Sequence, residues 1–125
     1  YITRDKLMQH YNLIPIGQKA VFYVPIAKLE KEYSNKRMDK TIHDFFIEHY
    51  NAYTVDNTHG FWRKGIEAPL IEDSCLRYEV SFNSEDVNKL IDFISDVCRI
   101  IEEECIYFTT NKGSFLIKPN GPIKS

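Results

Sequence analysis

Between residues 83 and 101, apolar side chains recur every three or four positions, the period of a helix with one buried side. The apolar stripe consists of Val87, Leu90, Ile91, Ile94, Val97, Cys98 and Ile101. Asn83 or Ser84 can cap its start, and Glu85 and Asp86 place negative charge where the helix dipole favours it. The pattern predicts a helix of about five turns that packs against a sheet.

A second helix is predicted over Met38–Tyr50, where Ile42, Phe45, Phe46 and His49 share a face. Runs of β-branched and aromatic residues predict strands at 21–26 and 75–82. The second strand alternates, so Leu76, Tyr78, Val80 and Phe82 are expected on one face and Arg77, Glu79 and Ser81 on the other.

Turn residues between short β-type runs predict two hairpins. One spans 52–63 with its turn at 56–60, and the other spans 106–117 with its turn at 111–113. A short helix is predicted over 3–11. The polar segments 27–37 and 65–74 are predicted to be an exposed connection and a loop.

Strand, helix and hairpin therefore occur twice in the same order, and 54 positions separate both Val21 from Cys75 and Tyr53 from Tyr107. We predict one α+β, ferredoxin-like domain: βαββ units at 21–64 and 75–118 form a mostly antiparallel sheet of about six strands with both helices on one face. Residues 1–17 are assigned to an N-terminal helix and connection, and 119–125 to a frayed tail. In layout only, this order resembles the twin-βαββ effector-binding domains related to the gyrase-inhibitor family.

Composition narrows the class of protein. The 125 residues are 43 % hydrophobic and 27 % charged, with a net charge of −2 and a pI near 6.1. The chain lacks the basic excess on which phosphate-backbone binders rely, so nucleic acid is a disfavoured partner. No apolar run is long enough for a membrane span, and the first residues lack the layout of a signal peptide. We expect a cytoplasmic protein whose Lys, Ile, Asn and Tyr usage is typical of AT-rich bacterial or phage genomes.

Motifs for catalysis, metals and cofactors are absent from the sequence. His10, His43, His49 and His59 form no chelating pair, and neither Cys-x-x-Cys nor His-Glu-x-x-His occurs. No cofactor is predicted. Cys75, Cys98 and Cys105 lie in apolar runs and are expected to be buried free thiols. The three glutamates at 102–104 are expected to end the long helix as a solvated acidic tip.

With both helices on one face, the other sheet face is the candidate binding surface. Residues assigned to a ligand there are Tyr53, Trp62, Arg63, Arg77, Glu79 and Tyr107. Such a face can stack on and hydrogen-bond a small polar or nucleotide-like ligand. It can equally form a homodimer interface, because Trp, Tyr and Arg dominate interface energetics, or it can be an ordinary solvated face.

The leading functional hypothesis is a non-enzymatic module that holds a small ligand or a protein partner. In one version a phage or mobile-element protein sequesters a signal or blocks host defence. The alternative is a small ferredoxin-like enzyme that uses Arg63, Arg77, Glu79 or His59 in a sheet-face cleft. A third hypothesis, an RNA binder with stacking aromatic residues, is weakened by the acidic balance of the chain.

Overall fold

The computed structural model describes residues 11–119. The elements, in chain order, are β1 (Gln18–Pro25), α1 (Ile26–Leu29), β2 (Glu32–Tyr33), β3 (Lys36–Arg37), α2 (Met38–Tyr50), β4 (Thr54–Trp62), β5 (Ile71–Phe82), a single 3₁₀ turn (Ser84–Asp86), α3 (Val87–Ile100), β6 (Ile106–Thr110) and β7 (Gly113–Ile117). The predicted helix at 3–11 and tail at 119–125 lie almost entirely outside the described residues.

Five strands form one sheet in the order β4-β5-β1-β6-β7, and every neighbouring pair is antiparallel. Strands β2 and β3 form a separate two-stranded ribbon before α2. The predicted α+β class and antiparallel sheet are therefore confirmed, with five strands in the main sheet where about six were expected. The ferredoxin-like label stays a prediction.

Both long helices pack on the same face of this sheet, as predicted. Their shared core contains Ala20, Phe22 and Val24 of β1, Tyr78, Val80 and Phe82 of β5, Ile42 and Phe46 of α2, and Leu90, Ile94, Val97 and Cys98 of α3. Phe45 of α2 and Phe93 of α3 stack with ring centroids 3.7 Å apart, which places the two helices side by side. The period-2 strands and the helical stripes thus bury one continuous apolar surface.

The hairpin predicted at 52–63 is wrong, because Thr54–Trp62 forms one uninterrupted strand. It pairs along its whole length with the twelve-residue β5, from Thr54 opposite Glu79 to Trp62 opposite Ile71. Polar side chains at 56–59 resemble a turn in sequence, but an edge strand tolerates them because solvent reaches both of its faces. The connection instead lies at 63–70, so the loop predicted at 65–74 ends four residues early.

The segment 27–37, predicted to be an exposed connection, is partly structured, because α1 buries Leu29 and β2 and β3 follow it.

The end of α3 also differs from the prediction. Helix α3 ends at Ile100, before the glutamates, and Glu102 has φ of 59°. Lys28 donates a hydrogen bond of 2.9 Å to the Ile101 carbonyl. A cation from α1 therefore satisfies one of the carbonyls that the end of the helix leaves open.

All three cysteines are free thiols; Cys75 and Cys98 are buried and Cys105 is half-buried. Burial raises the pKa of the Cys98 thiol to about 11, and Cys98 donates a hydrogen bond to the Glu103 carbonyl. Because the thiolate is the reactive form, we expect iodoacetamide at pH 8 to modify Cys105 well before Cys98. Mass spectrometry of peptides from a labelling time course measures this order, and equal rates in the native protein would contradict the packing of α3.

No helix among residues 11–119 is long and apolar enough to cross a membrane.

Candidate functional site

The face of the sheet opposite the helices, here called the helix-free face, is built by strand alternation. On β5 the even-numbered residues from Leu76 to Phe82 pack toward the helices, so Arg77 and Glu79 project from the other side. Directly paired residues of neighbouring strands share a face. The pairing therefore identifies every neighbour of Arg77 and Glu79 on this surface.

Two rows of side chains cross the helix-free face from β4 to β7. The first row contains Thr54, Glu79, Val21, Thr109 and Ser114. The second row contains Asp56, Arg77, Tyr23, Tyr107 and Leu116. Within the second row the rings of Tyr23 and Tyr107 lie 5.7 Å apart, which confirms that β1 and β6 present them together.

Arg77 is the centre of the charged part of this face. Its Nη2 donates a 2.9 Å hydrogen bond to Oε1 of Glu79, and its Nη1 lies 3.7 Å from Oδ2 of Asp56. The hydrogen bond to Glu79 raises the pKa of Arg77, burial opposes this rise, and Tyr23 adds to it. Two carboxylates therefore hold a permanently charged guanidinium in place between two strands.

Hydroxyl groups form a second cluster beside this ion pair. Tyr107 donates a 2.9 Å hydrogen bond to Ser114 Oγ, which lies 3.0 Å from Thr109 Oγ1. Hydrogen bonds between these side chains fix their positions on β6 and β7. They offer donors and acceptors at fixed positions to any polar ligand on the face.

A shallow groove of about 370 Å³ lies between the two clusters. Its lining consists of Lys19, Val21, Arg77, Thr109, Thr110 and Asn111. Val21 forms an apolar floor that is only 5 % exposed although it faces away from the helices. Lys19 and Arg77 both belong to this lining, so the groove has cations suited to a carboxylate, next to the anions Glu79 and Asp56.

The structure brings together three of the six predicted site residues: Arg77, Glu79 and Tyr107. Trp62 shares their face, but it lies eight residues along β4 from Thr54, about 26 Å away, and donates a hydrogen bond to Asp73. Arg63 lies beyond the strand, where it donates to the Ile66 carbonyl. His59, named in the enzyme alternative, is an edge-strand residue 3.6 Å from Glu72.

Tyr53 lies on the opposite side of the sheet, which corrects its predicted position. Its hydroxyl is 2.8 Å from Nδ1 of His43 on α2, and its ring contacts Phe46 and Tyr78 of the core. It helps to form a second groove of about 400 Å³ between α2 and β4. The lining of this α2–β4 groove is Asp39, Lys40, His43, Tyr53, Val55, Leu76 and Tyr78.

Sequence reasoning missed Tyr23, Asp56 and Lys19 on the helix-free face. Tyr23 lies in a predicted strand whose neighbouring strands the sequence does not identify, and Asp56 was placed in a turn. Only the pairing of β1 and β4 with β5 brings both residues next to Arg77. Among residues 11–119, no group of three or more His, Cys, Asp or Glu side chains is arranged to hold a metal ion.

Comparison with known proteins identifies the fold. No protein-family model matches the chain, and neither does any curated protein sequence. Two solved structures are similar: a phage SAM lyase in complex with S-methyl-5′-thioadenosine and a phage SAM lyase in the apo state. The first has a TM-score of 0.63 with 11 % identity over 90 % of this chain and 98 % of that chain. The second has a TM-score of 0.55 with 10 % identity over 85 % and 92 %.

At this level of identity the likeness shows a shared fold, which extends over almost the whole of both proteins. Both neighbours are enzymes, and one of them holds a small nucleoside in its structure. This finding contradicts the leading hypothesis of a non-enzymatic binding module. It favours the alternative of a small enzyme, and the residues assigned to the cleft of that enzyme stay a prediction.

Proposed function

We propose that this protein is an enzyme that cleaves S-adenosylmethionine (SAM) to methylthioadenosine on its helix-free face. The observation that carries the proposal is the combination of the fold with the cluster around Arg77. The fold matches a SAM lyase over 98 % of that enzyme's length, and the face without helices carries paired charges, paired tyrosines and a groove.

The chemistry of SAM matches the groups present on this face. The substrate carries a carboxylate, two cations (an ammonium and a sulfonium) and an adenine ring. Lys19 and Arg77 attract the carboxylate, whereas Glu79 and Asp56 attract the cationic groups. Tyr23 and Tyr107 offer ring faces to adenine, and the hydroxyls of Thr109 and Ser114 can bond the ribose.

The reaction requires positioning more than proton transfer. The sulfonium already bears a neutral thioether as its leaving group, so no acid is needed. A carboxylate oxygen of the aminobutyryl arm attacks its own γ-carbon, the bond from that carbon to sulfur breaks, and the electron pair moves to sulfur. The products are methylthioadenosine and a five-membered lactone, and neither water nor a proton is consumed. The role of the protein is to fold the arm back on itself.

The direct test is incubation of the purified protein with SAM and quantification of methylthioadenosine by liquid chromatography. We expect the nucleoside and the lactone to appear in equal amounts at a rate far above spontaneous decay. Adenosylhomocysteine, which lacks the sulfonium charge, is the matched control and should remain intact. Formation of no methylthioadenosine by folded protein at any concentration would contradict the proposal.

Self-association remains a prediction for the same surface. Tyr107 and Leu116 of the helix-free face, at the β6–β7 edge, are 44 % and 60 % exposed, and the groove is open to solvent. A second copy, as in the predicted homodimer, would cover the apolar edge and close the groove over the substrate. Sedimentation velocity with and without SAM measures this, and a monomer under both conditions would contradict it.

A further inference from the structure

The α2–β4 groove lies on the other side of the sheet from the proposed SAM site. Helix α2 packs over the core strands and leaves β4 uncovered on this side, where Val55 is 41 % exposed. The resulting hollow of about 400 Å³ has Leu76, Val55 and the rings of Tyr53 and Tyr78 among its walls. The volume is within the range of small-molecule sites, and the aromatic walls offer surface for a flat ring.

Tyr78 gives the groove a hydroxyl donor. The side chain is 98 % buried and its ring stacks on Phe22 with centroids 5.0 Å apart. Within the described residues no hydrogen bond to the Tyr78 hydroxyl is formed. Among the described residues, the Tyr50 hydroxyl is fully buried without a hydrogen-bond partner, but the Tyr78 hydroxyl is not. The oxygen of Tyr78 is therefore in contact with the groove that this residue lines. The Tyr78 hydroxyl has no partner in the described part of the protein, so its proton is available to an acceptor atom of a ligand in the groove.

The remaining polar groups of the groove leave it without strong net charge. Asp39 is already held by Arg37, with hydrogen bonds of 2.8 and 3.2 Å, and Lys40 lies 3.8 Å from Asp44. His43 Nδ1 and the Tyr53 hydroxyl bond each other at 2.8 Å, which fixes both rings in the wall. Burial also raises the pKa of Tyr78, so its hydroxyl remains a donor over the physiological range.

We propose that the α2–β4 groove binds a neutral aromatic heterocycle, whose ring packs against Tyr53 and Val55 and whose acceptor atom receives the Tyr78 hydroxyl proton in a hydrogen bond. The ligand is expected to be neutral, because the charged side chains at the rim of the groove already have partners of opposite charge. A heterocycle is favoured over a hydrocarbon because the floor provides a donor that an acceptor nitrogen or oxygen satisfies. This proposal is independent of the activity proposed for the helix-free face.

The experiment is a titration of the whole protein with adenine, followed by NMR of the aromatic and methyl groups. We expect concentration-dependent shifts of Tyr78, Tyr53, His43 and Val55. Tyr78→Phe keeps the ring and removes only the donor, so adenine should bind at least about tenfold more weakly. The unfolding temperature of this variant should be unchanged, because the hydroxyl that is removed forms no hydrogen bond within the described residues.

Glu79→Gln on the helix-free face separates the two proposals, since it should leave the adenine affinity of the groove unchanged. Three results would overturn the inference. They are an absence of shifts up to the solubility of adenine, shifts confined to residues of the helix-free face, and wild-type affinity in Tyr78→Phe. A lowered unfolding temperature in Tyr78→Phe would likewise assign its hydroxyl to the packing of the core and not to a ligand.

Discussion

Glu79→Gln is expected to lower kcat/KM for SAM by about 100-fold, while the fold and the unfolding temperature stay close to those of the wild type. Glu79 is one of two carboxylates beside Arg77, and its side chain is 32 % exposed. Glutamine has the same shape but cannot neutralise the sulfonium or the ammonium of the substrate. A charge-assisted contact is therefore replaced by a neutral one where the substrate is most positive. Initial rates of methylthioadenosine formation measure the effect.

The matched control is Glu72→Gln on the same strand. Glu72 makes a 3.6 Å contact with His59 at the far end of β4 and β5, and its side chain is 61 % exposed. An exposed ion pair of this kind contributes little to stability, and this pair lies away from Arg77. The Glu72→Gln variant should therefore retain full turnover. Equal losses in both variants would indicate a general effect of charge, and full activity of Glu79→Gln would remove Glu79 from the site.

Gly17→Ala is expected to lower the free energy of unfolding by about 3 kcal/mol or more, which corresponds to a drop of roughly 10 °C in Tm. Gly17 has φ of +104°, a conformation that other residues rarely adopt. A β-carbon at this position would lie 2.0 Å from the carbonyl oxygen of Phe82 and 2.6 Å from its carbonyl carbon. Neither backbone can move freely, because Gln18 pairs with Phe82 at the start of the β1–β5 ladder. Thermal unfolding followed by circular dichroism measures the loss.

Gly60→Ala provides the comparison for this prediction. Gly60 lies within β4, and a β-carbon there would meet nothing within 4 Å. Alanine also reduces the freedom of the unfolded chain, so the change should be neutral or stabilising by about 0.5 kcal/mol. If Gly17→Ala proves as mild as Gly60→Ala, the close approach of the chain before β1 to the end of β5 is not maintained in solution.

The shortfall of the sequence-based prediction is clearest at residues 56–59. Asp56, Asn57 and Thr58 are all frequent in turns, and Gly60 follows them, so local preference favours a hairpin. In the structure these residues pair with 74–77 of β5, because twelve consecutive residues of β5 provide hydrogen bonds along the whole of β4. Tertiary pairing overrides the local preference, and it moves Asp56 from a turn to the side of Arg77.

The positions of the predicted site residues could likewise be predicted only in part from the sequence. Arg77 and Glu79 were placed on the correct face, because Leu76, Tyr78, Val80 and Phe82 leave no other arrangement of an alternating strand. Tyr53 was not, because it precedes β4 and belongs to no clear alternation. Its hydroxyl instead bonds His43, a contact that depends on where α2 lies against the sheet.

By itself, the sequence determined the positions of the two long helices, which face of each of them and of β5 is buried, and that one side of the sheet stays free of these helices. Each of these features depends on the spacing of apolar residues within a short segment, which is a local property. Only the tertiary structure decided the strand order and the pairing register, which bring Tyr23, Asp56 and Tyr107 around Arg77 and leave the Tyr78 hydroxyl facing an open groove. These depend on contacts between residues far apart in the chain, and alternation within a single strand contains no information about its neighbours.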